Sequence, residues 1–440
     1  MEQVTDFKGK RVLVAGVGRS GRAAGEFLRA RGAHVTLGDE KELPSIPEGF
    51  EFALLGPETE PDFDLIVQSP GVPLEKPYFE KAKQAGVKVT GEVELAAPYL
   101  RGPVIGITGA NGKTTTTTWT AMMMEASGVA CQTGGNIGRA VTDMVASSRD
   151  DQWNILELSS FQLETVETFS AQIAVVLNIT ANHLDRHHTM EAYVAAKARL
   201  LETQRGGSFT VLNAADAVTA KLAEKARGEV VWFSSAGPLE KGFWMDGDWI
   251  VHDGQRLIPV SSLGVPGRHN VENCMAAAAA AMLAGAGQEG VCAAAKAFHG
   301  VEHRIEFVRQ RRGVRFYNDS KSTTAEATET AAGAFQSGLW LILGGSDKGL
   351  NYTHLAPVLR PKVKGVLLIG KIAKLLSDQL SAELPTVTCG TLAAAVEHAS
   401  VRAIAGDVVL LSPGTASYDQ FANYEERGRA FKQLVTALEE

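Results

Sequence analysis

The sequence predicts an α/β protein of three domains: a Rossmann-like N-terminal domain, a central P-loop ATPase-type domain and a Rossmann-like C-terminal domain. Short apolar segments of strand length alternate with helical segments along the chain, which is the pattern of parallel α/β folds. Two of these segments run into glycine-rich turns, after residues 15 and 108. A chain of 440 residues also exceeds the roughly 250–300 residues at which a single core stops growing. We expect the three domains to cover residues 1–95, 96–302 and 303–440. The stretch from Gly91 to Gly102 is expected to be a linker.

The composition excludes several classes of protein. The formal net charge of −7 argues against nucleic acid as a partner. The longest apolar run, Cys274 to Gly287, is too short to span a bilayer, so we expect no membrane insertion. The four cysteines are far apart without a Cys-x-x-Cys pair, and charged residues precede the first apolar segment. These features predict a cytoplasmic protein with reduced thiols and no signal peptide.

The first predicted strand segment, Arg11 to Gly18, runs into the fingerprint Gly16-x-Gly18-x-x-Gly21, and a helix is expected from about Arg22 to Arg31. Asp39 follows about 20 residues after the fingerprint. This pattern is typical of a dinucleotide site, in which phosphate lies over a helix N-terminus. On these residues alone, a nicotinamide or flavin cofactor, another nucleotide and a purely structural turn all stay open. Ser69-Pro70-Gly71 follows a later strand, at the sheet edge where open α/β folds bind ligands.

The stretch from Val104 to Thr118 predicts a nucleotide phosphate site. A buried strand is followed by Gly109, Gly112, Lys113 and Thr114. Main-chain N–H groups of such a turn bind phosphate oxygens, the lysine neutralises charge, and the hydroxyl reaches Mg²⁺. The motif is shortened, because Ile107 occupies the place of the usual first glycine.

Three further features of the central segment bear on a metal site. Glu157 ends a predicted strand beside the phosphate loop, where a Mg²⁺ ligand is expected. The histidine-containing stretch from Ile179 to His188 is consistent with a solvated loop or, more weakly, with zinc. Lys197 lies in a predicted helix among alanines, and such a lysine usually faces solvent.

The third domain has several strands that each end in a loop of hydroxyl, glycine and charged residues. Because the carboxyl ends of parallel strands share one sheet edge, Lys321, Thr323, Lys348 and Ser417 could converge on one anionic ligand.

Taken together, six sequence blocks resemble the Mur ligases, the ATP-dependent amide-forming enzymes of bacterial cell-wall precursor synthesis. The resemblance covers essentially the whole chain and is carried by blocks in the right order. These are Thr108-Gly109-Ala110-Asn111-Gly112-Lys113-Thr114, Glu157-Leu158-Ser159-Ser160-Phe161-Gln162-Leu163-Glu164, Asn182-His183-Leu184-Asp185, Gly267-Arg268-His269-Asn270, His303-Arg304 and Asn318-Asp319-Ser320-Lys321.

Within the family, the first domain and the block from Leu411 to Phe421 resemble the members that add D-glutamate. The resemblance implies that ATP phosphorylates the carboxylate of UDP-N-acetylmuramoyl-L-alanine, and that the amine of D-glutamate then attacks the acyl phosphate. It also implies two Mg²⁺ ions and a carbamylated Lys197. Three domains around one site predict closure of the last domain when ATP binds, and we expect a monomer. The first-domain fingerprint is thereby reassigned from a redox cofactor to a nucleotide sugar.

The resemblance assigns a role to each candidate residue. The catalytic group is Lys113, Asn136, His183, Lys197 and Lys321. ATP is expected at Gly109, Asn111, Gly112, Lys113, Thr114, Thr115, Asn270, Asn273, Arg304 and Asp319. The UDP substrate is expected at Gly18, Arg19, Ser20, Asp39, Ser69, Gly71, Asn136 and His183, and D-glutamate at Thr323, Lys348, Ser417, Tyr418 and Tyr424. The metal ligands are Thr114, Glu157, His183 and the carbamate of Lys197.

The chain departs from the family pattern at three places. Asn182 stands where an acidic residue is expected, Ser346-Asp347 places the acid beside Lys348, and Arg19-Ser20 alters the uracil-side contacts. Three rival hypotheses remain: a sibling ligase with another substrate, a nucleotide-sensing protein without chemistry, and a dehydrogenase.

Overall fold

The computed structural model describes residues 7–43, 45–265, 267–346 and 351–439, apart from the side chains of residues 185 and 326. The chain divides into two compact units, one ending at Phe298 and one beginning at His299. The first unit holds two β-sheets and the second holds one. The α/β fold expected from the alternating pattern is confirmed. The domain boundaries at 95/96 and 302/303 stay predictions.

The N-terminal sheet is parallel and has the strand order β3-β2-β1-β4-β5. Its buried apolar strands pack against helices whose small residues allow close approach. Its elements are β1 (Arg11–Ala15), α1 (Arg19–Arg29), β2 (His34–Asp39), β3 (Glu51–Leu54), β4 (Leu65–Gln68), α2 (Pro77–Gln84) and β5 (Lys88–Gly91). The helix α1 begins at Arg19, three residues earlier than the pattern predicts, so it includes the last glycine of the fingerprint.

A short helix, α3 (Glu92–Ala96), follows β5 where the sequence predicts a linker from Gly91 to Gly102. All five of its residues are buried. The Glu92 carboxylate accepts hydrogen bonds from the N–H and the hydroxyl of Thr142, at 2.6 and 2.9 Å. The Glu94 carboxylate accepts the N–H groups of residues 167, 168 and 169 at 2.9–3.0 Å. This connection is therefore a packed helix, hydrogen-bonded to Thr142 and to residues 167–169, which flank strands of the central sheet.

The central sheet has the order β14-β13-β12-β11-β10-β9-β6-β8-β7, and only its β12-β13-β14 end is antiparallel. Its first half comprises β6 (Val104–Thr108), α4 (Lys113–Ala126), β7 (Cys131–Gly135), α5 (Val141–Met144), β8 (Trp153–Glu157), α6 (Ser160–Leu163), β9 (Ile173–Val176), α7 (Leu184–His187) and α8 (Met190–Glu202). The rest comprises β10 (Phe209–Asn213), α9 (Ala217–Lys221), β11 (Glu229–Ser234), β12 (Phe243–Asp246), β13 (Trp249–His252), β14 (Gln255–Pro259), α10 (Arg268–Leu283) and α11 (Gln288–Ala297).

The alanine-rich run from Cys274 forms the buried part of α10, which packs against α4. Small side chains let the two helix backbones approach closely, and this fixes the start of α10 beside the phosphate loop. Among the described residues, no helix is both long and apolar enough to cross a membrane.

The second unit contains a sheet of order β15-β16-β20-β17-β18-β19, in which only the β15–β16 pair is antiparallel. Apolar clusters cover both faces of this sheet. Its elements are β15 (Glu306–Arg311), β16 (Val314–Asn318), α12 (Ala325–Gly333), β17 (Leu339–Gly344), α13 (Leu355–Leu359), β18 (Val363–Ile369), α14 (Ala373–Leu380), β19 (Thr386–Gly390), α15 (Leu392–Arg402), β20 (Val408–Leu411) and α16 (Tyr424–Thr436).

Candidate functional site

The loop between β6 and α4 has the geometry of a phosphate-binding turn. Gly109 and Gly112 have φ angles of 157° and 85°, a region that favours glycine. A Cβ atom on Gly112 would lie 2.2 Å from Oδ1 of Asn273. Thr114 is buried and Thr115 half-buried in the first turn of α4. The N–H groups at the start of this 14-residue helix form an anion-binding end.

Two lysines meet at one carbonyl oxygen of this loop. Nζ of Lys113 donates to the carbonyl oxygens of Gly109 and Ala110, at 3.0 Å each. Nζ of Lys197 donates to the same Gly109 oxygen at 2.9 Å and to Oγ1 of Thr108 at 3.2 Å. These two bonds place Lys197, which lies on α8, at the end of β6 and so within the predicted phosphate site.

Lys197 is buried, in contrast to the solvent-facing lysine that its helix pattern alone favours. Burial, followed by the positive charge of Lys113, lowers the pKa of Lys197 well below its ordinary value. The ring of Tyr193 lies 4.7 Å from Nζ. A buried amine with a lowered pKa is a candidate nucleophile rather than a permanent cation.

Glu157 occupies the end of β8, next to the phosphate loop in the sheet order. Its Oε1 accepts a hydrogen bond of 2.7 Å from Nδ2 of Asn136, and its Oε2 is buried without a hydrogen-bond partner. Asn136 in turn accepts a hydrogen bond at its carbonyl oxygen from Arg19, at 3.0 Å. A buried carboxylate oxygen without a partner is costly unless a ligand completes it.

His183 is exposed and lies at the N-terminus of α7 with a φ of 54°. Its ring lies 4.9 Å from that of Phe161 on α6. Within the described residues, no group of three or more histidine, cysteine or carboxylate side chains is arranged to hold a metal, so the zinc alternative gains no support. The partnerless oxygen of Glu157 is a hard carboxylate ligand of the kind that Mg²⁺ prefers.

The residues predicted for the UDP substrate follow three neighbouring strands. Gly18 is the residue before α1, Arg19 and Ser20 begin that helix, and Asp39 ends β2. The Asp39 carboxylate accepts hydrogen bonds from the N–H groups of Val17 (3.1 Å) and Lys41 (3.3 Å). The bond from Val17 therefore ties the fingerprint loop, at the N-terminus of α1, to the end of β2.

The turn after β4 lies against this fingerprint loop. Ser69 is buried and Gly71 exposed. A Cβ atom on Gly16, whose φ is 95°, would lie 2.8 Å from Cβ of Ser69. Since β1 lies between β2 and β4, the three predicted segments meet at one sheet edge.

The predicted ATP-side amides lie at the start of α10 and beside the loop. Asn273 is buried, and its Oδ1 accepts a 3.4 Å hydrogen bond from Thr116, while its Nδ2 donates to Asn270 at 3.4 Å. Asn111 donates its N–H to Oδ1 of Asn178 at 2.9 Å. These contacts fix the amides next to the phosphate turn.

In the second unit, the predicted residues cluster where β16 ends. The buried Asp319 carboxylate accepts hydrogen bonds from Ser322 (2.5 Å), Ser412 (2.8 Å) and the N–H of Ile305 (3.2 Å). Burial outweighs these bonds and raises the pKa of Asp319 to about 6. Arg304 is exposed, and the half-buried Lys321 donates its N–H to the carbonyl of His303 at 3.0 Å.

The residues predicted for D-glutamate have different environments in this unit. Ser417 is buried, Thr323 and Tyr424 are half-buried, and Tyr418 is 77% exposed. Lys348 lies outside the described residues. The ring of Tyr424 makes an edge contact with His303, 6.0 Å between centroids.

A charged cluster beside His183 has no role in the sequence predictions. Arg186 forms an ion pair with Glu164 there, at 3.1 Å, and Nδ1 of His187 lies 3.3 Å from the same carboxylate. Arg186 directly follows the block Asn182 to Asp185, and Glu164 ends the block that starts at Glu157. Their positions beside and within these sequence blocks are the feature from which a role near the site could have been predicted.

Three family models match this chain. "Mur ligase MurD-like, N-terminal domain" matches residues 10–91, "Mur ligase middle domain" matches 107–281, and "Mur ligase, glutamate ligase domain" matches 303–414. Together the matches reach all three sheets of the fold.

Among curated relatives, UDP-N-acetylmuramoylalanine--D-glutamate ligase of Solibacter usitatus is 51% identical over 98% of this chain and 99% of its own. The protein of the same name from Acidobacterium capsulatum is 44% identical over 98% and 97%. Among solved structures, UDP-N-acetylmuramate-alanine ligase from Thermotoga maritima matches with a TM-score of 0.58 and 17% identity, covering 97% of this chain and 99% of that one. At that identity the structural match supports the fold alone.

Proposed function

Because the chain belongs to the Mur ligase family, we propose that it is the ATP-dependent ligase that adds D-glutamate to UDP-N-acetylmuramoyl-L-alanine in peptidoglycan precursor synthesis. The 51% identity to a relative of that name, over nearly the whole of both chains, supports the substrate assignment. The MurD-like N-terminal match supports the choice among family members.

The observation that carries the chemistry is the pair of lysines at the Gly109 carbonyl, next to a phosphate-binding helix N-terminus. In the proposed first step, an oxygen of the substrate's alanyl carboxylate attacks the γ-phosphorus of ATP, and ADP leaves. The amine of D-glutamate then attacks the acyl carbon, loses a proton, and phosphate leaves with the C–O electrons. Both steps concentrate negative charge on oxygens, so a preorganised cation such as Lys113 stabilises the transition states.

We assign the first Mg²⁺ to Thr114 and Glu157, and a second ion to His183 and a carbamylated Lys197. Bound Mg²⁺ supplies charge neutralisation at phosphoryl and carboxyl oxygens. The partnerless Oε2 of Glu157 supports the first assignment. The lowered pKa of Lys197 supports the modification, because a neutral amine adds to carbon dioxide with loss of a proton and becomes an anion.

The remaining binding residues are proposed in the same way. The UDP group is assigned to Gly18, Arg19, Ser20, Asp39, Ser69 and Gly71, with Asn136 and His183 on the acyl side. Asn270, Asn273, Arg304, Asp319 and Lys321 are assigned to ATP, and Thr323, Lys348, Ser417, Tyr418 and Tyr424 to D-glutamate. We further propose a cytoplasmic monomer, to be tested by light scattering of the purified protein; the free cysteines of the described residues agree with a reducing compartment.

Phosphate release tests the proposal directly. The purified protein is given ATP, Mg²⁺ and UDP-N-acetylmuramoyl-L-alanine, with D-glutamate, L-glutamate, meso-diaminopimelate, L-alanine or no amino acid. We expect release that needs D-glutamate and a product heavier by one glutamyl residue. Release with another amino acid would indicate a sibling ligase, and silence with ATP bound would indicate a binding protein.

A further inference from the structure

The side chain of Arg186 on α7 is 10% exposed and contacts two different parts of the first unit. Its guanidinium donates to the carbonyl oxygens of Pro70 and Val72, at 3.3 and 3.1 Å. It also donates to the Glu164 carboxylate at 3.1 Å and lies 4.6 Å from the centroid of the Phe161 ring. One planar cation therefore joins the turn after β4 to the α6 segment.

The contacts with the turn after β4 involve its main chain. Val72 also accepts a 2.6 Å hydrogen bond from Nε2 of Gln68. Arg186 thus fixes the path of the chain from residue 69 to 72. Its hydrogen bonds go to main-chain carbonyl oxygens and do not involve the Ser69 hydroxyl. This turn holds Ser69 and Gly71, which we assign to the nucleotide sugar.

The other two partners of Arg186, Phe161 and Glu164, contact the histidines at the two ends of α7. The Phe161 ring lies 4.9 Å from the His183 ring and is stacked on the His187 ring at 5.3 Å. The second oxygen of Glu164 lies 3.3 Å from Nδ1 of His187, whose Nε2 is 2.9 Å from Oγ of Ser160. The four-residue helix α7 is too short to be stable alone. Its position therefore depends on this cluster.

A stabilising ion pair is the simplest alternative role for Arg186. The desolvation of two buried charges offsets much of their attraction, so such a pair is weak evidence for stability. A stabilising role also gives no reason for bonds to two carbonyl oxygens of a loop more than 110 residues away. The forked geometry of arginine is suited to holding several acceptors in fixed directions.

We propose that Arg186 is a positioning residue that couples the Pro70–Val72 turn to His183. Binding of the nucleotide sugar at the turn then orders the histidine, and ordering of the histidine tightens the turn. The inference rests on the proposed function, since it uses the substrate assigned to the turn.

The variant Arg186→Lys keeps the charge and loses the fork. We expect its KM for UDP-N-acetylmuramoyl-L-alanine to rise about tenfold and its kcat to fall about tenfold, with KM for ATP unchanged, because hydrogen bonds to a charged group are lost. The matched control is Arg199→Lys on α8, a nearby arginine that donates to the Val166 carbonyl at 3.1 Å. Its kinetic constants should stay at wild-type values.

Hydrogen–deuterium exchange measures the coupling without activity. In the wild type, UDP-N-acetylmuramoyl-L-alanine alone should slow exchange in peptides covering 69–76 and also 181–189. In Arg186→Lys, only the first peptide should respond. Equal responses in the two proteins would overturn the inference. Ligase activity of the wild type tests the proposed function separately: an active wild type would leave it standing, and an inactive one would remove it.

If Arg186→Lys does not fold, Phe161→Leu replaces it. That change removes the ring between Arg186 and His183 and keeps the bonds to the turn. We expect a lower kcat, a smaller loss of affinity for the nucleotide sugar than in Arg186→Lys, and loss of the response in 181–189. A full response in that peptide would count against the coupling.

Discussion

The two lysines at the Gly109 carbonyl are electrostatically unequal. Lys113 lies at the helix start in a half-buried position, whereas Lys197 is buried with a lowered pKa. Two ammonium groups sharing one acceptor repel each other, so the more buried one is the one that gives up its proton. This difference supports the proposed division of roles, in which Lys113 gives electrostatic stabilisation and Lys197 is the lysine that is modified.

Substitution Lys197→Ala tests this assignment. We expect activity to fall on the order of 100-fold or more, since a preorganised group at the charge-developing site is lost. Short carboxylates such as formate should restore part of it by replacing the carbamate anion. The measurement is phosphate release with and without added carboxylate.

The control for this substitution is Lys221→Ala, an exposed lysine of α9, which should leave activity unchanged. Full activity of Lys197→Ala without any additive would remove the carbamate from the mechanism.

At the level of single residues, the sequence predicts local chemistry better than long-range contacts. Lys113 and Thr114 follow from one local strand-turn pattern, and Glu157 follows from the end of another predicted strand. The burial of Lys197 depends on hydrogen bonds to residues 88 and 89 positions away, and no local pattern contains that contact. Only the family resemblance indicated it.

At the level of elements, the strand–turn–helix unit from β6 to α4 depends on a glycine. Gly112 has a φ of 85°, and a Cβ atom there would collide with Asn273 on α10. The conformation of this turn therefore depends on α10 as well, although α10 is far away in sequence. The amide of Asn273 occupies the space that a side chain at residue 112 would need.

We expect Gly112→Ala to lower stability by roughly 1–3 kcal/mol through left-handed strain and the clash, and to abolish measurable ATP binding. Gly128→Ala is a matched control, because Gly128 follows the same helix with a φ of 73° and open space around it. Gly128→Ala should lower stability through the same backbone strain, measured by thermal unfolding. It should keep its affinity for ATP, measured by calorimetry. Equal ATP affinities in the two variants would contradict the packing argument.

The connection α3 carries a pH dependence. Burial raises the pKa of Glu92 to about 7, with Asp143 adding to the shift and the bonds from Thr142 opposing it. The folded state therefore holds this proton more tightly than the unfolded chain. Its stabilising contribution is complete below the unfolded pKa and is lost as the pH rises through about 7.

We expect the first unit to lose roughly 1–3 kcal/mol of stability between about pH 5 and pH 8 from this group. Glu92→Gln keeps an oxygen for Thr142 and should flatten the dependence. Asp143→Asn is the companion variant and should reduce it partly. The measurement is the thermal midpoint across this pH range, and parallel curves for wild type and Glu92→Gln would refute the role of Glu92.

The sequence also misses α3 for a physical reason. Its residues carry two glutamates within a short stretch, which is typical of an exposed linker. Both are buried because main-chain N–H groups of other segments supply their hydrogen bonds. Strands and helices of the sheets are predictable from apolar periodicity, whereas such polar burial depends on tertiary partners.

At the level of the whole molecule, the described chain divides into two compact units with separate cores. The residues assigned to the UDP group all lie in the first unit, and those assigned to D-glutamate in the second. Such a division predicts two unfolding transitions with different ligand responses.

We expect UDP-N-acetylmuramoyl-L-alanine alone to raise only the midpoint of the first unit. A ligand at 100 times its dissociation constant stabilises the state that binds it by about 2.7 kcal/mol. Calorimetry with and without the ligand measures this shift, and UDP alone serves as a partial ligand that should give a smaller one. The substrate assignment of the fingerprint would fail if the ligand moved the second transition instead, because every residue that we assign to the UDP group precedes Phe298.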